Sequence, residues 1–173
     1  KLKLINLTVV IFFSNLTFGQ FYPKYDEYKH FSIYKKDDTI NYHIYSPRDL
    51  KETDGIILFI QGSGAQPLFK ITKEHGSETI QSQVPFNPDK IPEGYAFVVV
   101  SKKCLPFSTE DKNFEIPKCF YENEGLDYRV WQYNEVINQV VKKQIKIPKK
   151  VIVIGHSEGT DVAAKLGNIN KKI

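Results

Sequence analysis

The chain has 173 residues, 41% of them hydrophobic and 25% charged, with 24 Lys plus Arg against 20 Asp plus Glu for a formal net charge of +4. That length accommodates one core-forming domain, and the composition is that of a folded globular protein rather than a disordered one. The basic residues are scattered apart from short pairs such as Lys142-Lys143 and Lys149-Lys150, which argues against nucleic acid as a partner.

Residues 1–20, KLKLINLTVVIFFSNLTFGQ, place two lysines before an apolar run from Leu4 to Phe13, then small residues on either side of Phe18. That order predicts a secretory signal peptide over 1–19, cleaved before Gln20, and therefore a secreted or periplasmic protein. A spanning helix needs about 20 apolar residues, and this run is too short for a stable membrane anchor. Setting aside Lys1 and Lys3 lowers the net charge to +2. The chain begins with Lys and contains no Met, so it is read as incomplete at its start.

Residues 20–30 are aromatic and charged without period, and read as an extended lead-in. Phe31–Tyr34 and Ile40–Tyr45 alternate on either side of Lys36-Asp37-Asp38-Thr39, which predicts an antiparallel hairpin. GIILFI (55–60), YAFVVV (95–100) and VIVI (151–154) are continuous apolar runs, the signature of strands inside a parallel sheet with helices on both faces. Residues 65–94 carry little period and read as loops, with a short helix near 74–82. Leu126, Val130, Tyr133, Ile137, Val140, Val141 and Ile145 recur at helical spacing, predicting a crossover helix that stops before Pro148. Cys104 and Cys119 are the only cysteines. An oxidising compartment permits a bridge between them, with two unpaired buried thiols as the alternative. Their spacing fits no zinc pattern, so no metal site and no cofactor are expected.

The chemistry is concentrated in KKVIVIGHSEGTDVAAKLG, residues 149–167: an apolar strand, Gly155-His156-Ser157-Glu158-Gly159, then a small-residue helix. A sharp strand-to-helix turn pushes Ser157 out of the sheet as a nucleophile and aims the Glu158 N–H at the oxyanion it would create. Side chains at Gly155 or Gly159 would collide as strand and helix close. An ordinary glycine-rich turn with a surface serine is the competing reading.

With Gln61-Gly62-Ser63-Gly64 at the end of the first buried strand, the chain resembles the α/β-hydrolase superfamily over about residues 31–167. Its layout is most similar to secreted bacterial members of the serine aminopeptidase, prolyl-oligopeptidase-like and dienelactone-hydrolase type. The resemblance implies an α/β fold: a mostly parallel sheet with a leading antiparallel hairpin, broken off after the nucleophile elbow, so that residues 20–173 are the N-terminal part of the domain. It implies that the backbone N–H of Ser63 is the second oxyanion donor, although many relatives have His where this chain has Gln61. It also implies that the acid and histidine follow the serine, whereas after Ser157 only Glu158 and Asp161 are acidic and no His occurs. His156 precedes the serine on the turn, and His30, His43 and His75 lie upstream. The expectation is a serine hydrolase cleaving a small-molecule ester or a peptide through an acyl-enzyme on Ser157, inactive in the chain as it stands. A non-catalytic binding domain of the same fold is the alternative.

Overall fold

The computed structural model describes residues 24–35, 38–145 and 150–173. The signal-peptide segment, Lys36-Asp37 and Pro148 lie outside the described residues. A single 3₁₀ turn, Tyr25–Glu27, leads into a hairpin of β1 (Lys29–Lys35) and β2 (Asp38–Tyr45), so Asp38 and Thr39 belong to the strand rather than to the turn. The apolar runs form β3 (Gly55–Ile60), β6 (Tyr95–Val100) and β8 (Lys150–Gly155). Between β3 and β6 stands an antiparallel pair, β4 (Phe69–Glu74) and β5 (Ser77–Ser82), extended by the two-residue β7 (Ser108–Thr109). The helices are α1 (Lys118–Tyr121), α2 (Leu126–Gln139) and α3 (Gly159–Ile169), and α2 widens into a π-helical turn over Val140–Gln144.

The main sheet runs β1-β2-β6-β3-β8. β1 and β2 pair antiparallel, as do β2 and β6, while β3 lies parallel to both β6 and β8. One face carries Ile56, Leu58, Ile60, Val98, Val100 and Val151 against Val130, Tyr133, Val136 and Ile137 of α2 and Val162 and Leu166 of α3. A two-helix layer of this kind buries the apolar stripe of each helix and supplies most of its stability.

Three expectations need correction. Among the described residues no α-helix covers the second face of the sheet: Phe59, Phe97 and Val99 pack there against Tyr28, Leu68, Phe69 and Val84, with Phe86 and Phe107 partly buried beside them. The helix expected near 74–82 is the β4–β5 hairpin, turned at His75 and Gly76 with φ of +49° and +78°. Two consecutive positive φ values match the twist of the flanking strands, which a helix through this segment could not. Third, the buried stripe of α2 omits Leu126, which is 41% exposed; Arg129 occupies that stripe at 1% exposure. Cys104 and Cys119 form a disulfide with Cα atoms 6.2 Å apart. No helix among the described residues is long and apolar enough to cross a membrane.

Candidate active site

The parallel register sets the site. β3 and β8 are paired through Ile60 and Gly155, so the next residues, Gln61 and His156, leave the sheet side by side. The His156 N–H donates to the Ile60 carbonyl at 2.9 Å, which extends the ladder by one step beyond the strands. The chain then reverses into α3 through Ser157, whose φ is +53°. A left-handed conformation costs an L-residue about 1–2 kcal/mol, and such strain is concentrated at functional turns.

Both elbow glycines are required by this packing. A Cβ at Gly155 would lie 2.6 Å from the Gly159 carbonyl carbon and 2.7 Å from the Thr160 Cα. One at Gly159 would lie 2.8 Å from the Gln61 oxygen and 3.0 Å from the Ile60 carbonyl carbon. The same closeness brings the turn after β3 onto the elbow, because a Cβ at Gly62 would stand 2.9 Å from the Ser157 Cβ. Gly62-Ser63-Gly64 and Ser157-Glu158 therefore form one cluster at the carboxyl ends of β3 and β8.

The helix start is closed by Gly159 N–H donating to His156 O (2.8 Å) and Thr160 N–H to Ser157 O (2.9 Å), with the Thr160 hydroxyl also donating to Ser157 O at 2.7 Å. The Asp161 N–H donates to Glu158 O at 3.1 Å, and Asp161 itself sits in the first turn of α3. Among the described residues the N–H groups of Ser63 and Glu158 have no acceptor. Two unpaired amides beside a serine, one of them at a helix N-terminus, make a setting for negative charge.

Behind this cluster lies a group of charges for which the motif search had no place. The Arg129 guanidinium donates through Nη2 to the Gln61 carbonyl. Lys102, at the exit of β6, donates to the Gly64 carbonyl at 3.1 Å and also to the Glu124 carboxylate. Arg129 Nη1 is 3.7 Å from Glu124 and 3.9 Å from Glu158, and its Nε and Nη1 are buried without a hydrogen-bond acceptor among the described residues. Burial pushes the Lys102 ammonium below the usual lysine range, against the opposing pull of Glu124. The Gln61 side chain points inward and donates to the Val100 carbonyl at 3.2 Å. The sequence signal for Arg129 is its spacing: it falls between Leu126 and Tyr133 on the apolar period of α2, where a charge is out of place.

No imidazole hydrogen-bonds to Ser157 among the described residues. His30 and His43 face each other as cross-strand partners on the first hairpin, Nδ1 to Nδ1 at 2.7 Å, and His43 Nε2 lies 3.0 Å from the Ser101 hydroxyl. Burial, and then the neighbouring His30, push His43 down to about 3. These two rings, with Asn41 and Phe107, line an open cavity of about 430 Å³ that does not include Ser157. His75 occupies the tip of the β4–β5 hairpin, and His156 stands on the elbow itself.

No family model and no curated protein sequence matches the chain. Among the solved structures that resemble it are two esterases. One is a cold-adapted esterase from an Arctic intertidal metagenomic library, bound to polyethylene glycol, with 15% identity, 84% of this chain covered and a TM-score of 0.55. The chain spans 57% of that esterase's length. The other is a thermostable esterase at 13% identity and a TM-score of 0.42, with 80% of this chain and 36% of that chain covered. The mixed α/β fold of this chain is thus shared with the first of these structures over 57% of that chain's length.

Proposed function

We propose that this chain carries the nucleophile and oxyanion half of a serine hydrolase that cleaves an ester or amide through an acyl-enzyme on Ser157. The observation that carries the proposal is the strained Ser157, at φ +53° between a strand and a helix, packed against a turn whose Ser63 amide, like that of Glu158, is unpaired. In the reaction, Ser157 Oγ bonds to the substrate carbonyl carbon as a base takes its proton. The two N–H groups bind the oxyanion, the alcohol or amine leaves, and water releases the acid. A small-molecule ester is the favoured substrate class, since the structural neighbours are esterases. Among the described residues no imidazole is placed to act as the base, and the protein acts after export.

A second reading, a binding domain that keeps the fold without catalysis, is favoured by the lack of any imidazole hydrogen bond to Ser157. Labelling of the full gene product with a fluorophosphonate probe separates them. Covalent modification at Ser157, abolished in Ser157→Ala, is the expected result, with the 173-residue chain alone labelling far more slowly. A folded gene product that stays unlabelled establishes the binding-domain reading instead.

A further inference from the structure

We propose that Lys102 and Arg129 are positioning residues that hold the turn after β3 from behind, by its carbonyls, and so present its amides to Ser157; the proposal rests on the serine-hydrolase reading above. The turn cannot hold itself. Between Gln61 and Ala65 no backbone hydrogen bond is made among the described residues, and two of its positions are glycine, with Gly64 at φ +108°. Glycine loses more conformational freedom on ordering than any other residue. What fixes this segment is a buried cation at each end: Arg129 on the Gln61 carbonyl and Lys102 on the Gly64 carbonyl.

A trans peptide places its carbonyl and the following N–H on opposite sides. Drawing the Gln61 carbonyl inward to Arg129 therefore turns the Gly62 N–H outward, and drawing in the Gly64 carbonyl fixes the far end, with Ser63 held between the two anchors. Arg129 also lies 3.9 Å from the Glu158 carboxylate, so one guanidinium reaches both the start of the turn, at Gln61, and one of the two residues whose amides are unpaired.

Energetics favour positioning over fold stability. Burying a cation costs several kcal/mol unless it is well paired, and replacing a whole buried ion pair by apolar residues is often neutral or stabilising, so such a pair is weak evidence for a role in stability. Here Lys102 and Arg129 are 4% and 1% exposed, share Glu124 as their nearest carboxylate, and leave two guanidinium nitrogens unsatisfied. An arrangement so poorly paired for stability is well suited to aligning carbonyl dipoles.

The test uses the full gene product as wild type, Lys102→Met, Lys102→Arg and Arg129→Lys. Backbone ¹⁵N order parameters at Gly62, Ser63 and Gly64 are expected to fall from about 0.85 to below about 0.6 in Lys102→Met, with the β3 and β8 amides unchanged. The fluorophosphonate inactivation rate constant is expected to fall by about 10²-fold, as for loss of one oxyanion donor, with the probe's dissociation constant within about threefold. Lys102→Arg recovers both readouts, and Arg129→Lys, which keeps the charge but not the reach, shows the same losses without removing a buried cation. A folded Lys102→Met or Arg129→Lys protein with a rigid turn and wild-type inactivation overturns the proposal. If wild type does not label at Ser157, the hydrolase reading fails and the order parameters alone decide the clamp.

Discussion

Two chemically identical substitutions on α3 should have opposite signs. At Gly159 an added Cβ meets backbone on every side, 2.8 Å from the Gln61 oxygen and 3.0 Å from the Ile60 carbonyl carbon. These are main-chain atoms at and just beyond the end of β3: Ile60 is paired to Gly155 and its carbonyl accepts from the His156 N–H, while the Gln61 carbonyl is held by Arg129, so neither rotates away freely. The helix itself must retreat, which loosens Val162 and Leu166 from the sheet. Overpacking of this kind costs about 1–3 kcal/mol, and the gain in helix propensity at the first helical position offsets only part of it, for a net loss of about 2 kcal/mol. At Gly167 a Cβ meets nothing within 4 Å, and the residue lies inside the helix. Gly167→Ala should therefore stabilise by about 0.5–1 kcal/mol through the lost freedom of the unfolded chain. Urea titration reads both changes. With a slope of about 2 kcal/mol per molar, Gly159→Ala lowers the midpoint by about 1 M and Gly167→Ala raises it by about 0.3–0.5 M. A Gly159→Ala protein with a midpoint at or above wild type would refute the close packing on which the elbow depends.

Three further outcomes follow from particular residues. His43 has its folded-state value lowered to about 3, against about 6.5 unfolded. Its contribution is thus complete above about pH 6.5 and is lost as pH falls toward 3, about 2 kcal/mol of it between pH 7 and pH 5. Urea titrations at those two pH values should show that loss in wild type and a smaller one in His43→Gln; equal losses reject the assignment. The Cys104–Cys119 bridge closes a loop of sequence separation 15, and its reduction should lower stability by about 3 kcal/mol. Mass mapping of a non-reduced digest of exported protein should recover the linked peptides, and two freely alkylated thiols would contradict this. Ser157→Gly relieves the positive φ and should raise stability by about 1 kcal/mol while abolishing probe labelling; an unchanged melting temperature would mean that the turn is unstrained.

Where one apolar pattern dominated, the sequence was legible. The runs at 55–60, 95–100 and 151–154 became β3, β6 and β8 because their faces are apolar on both sides, and Ser157 at an elbow was readable because glycine is required two places before and after it. The β4–β5 hairpin was not read, because its apolar positions are few: only Phe69 and Ile71 are buried on β4 and none on β5. The signal present was local, a His75-Gly76 pair flanked by Ile71-Thr72 and Thr79-Ile80, the form of a two-residue hairpin loop. The aromatic layer over the second face is hidden for a related reason: Tyr28, Phe86 and Phe107 come from separate irregular segments and Phe69 from the start of β4, and only the folded chain brings them together. Lys102 is not legible as a buried cation, because nothing in its sequence neighbours indicates that β6 ends beneath a glycine turn.

The assembly of the site is a property of the sheet more than of the motif. β3 connects to β6 on one side, yet β8 lies on its other side, so the strand order reverses around β3, the kind of switch point at which open α/β sheets place a ligand crevice outside the carboxyl ends. Pairing of Ile60 with Gly155 decides which residues face that crevice. Sliding β8 by one residue would move Ser157 about 3.3 Å along the strand direction and turn its side chain to the opposite face. Gly62 would then no longer meet the Ser157 Cβ, and the His156 N–H would lose the Ile60 carbonyl. Burial sets that register, since Val151 must face α2 and α3 along with Ile56 and Leu58. The proposed oxyanion half of the site therefore rests on elements that pack together within this chain: β3, β6, α2, β8 and α3. Proton handling does not follow from them, because the imidazoles they and the first hairpin carry are committed elsewhere or stand at exposed turns. On the proposed reading, the sheet and the elbow hold the serine strained and the turn in place independently of whichever base would activate it.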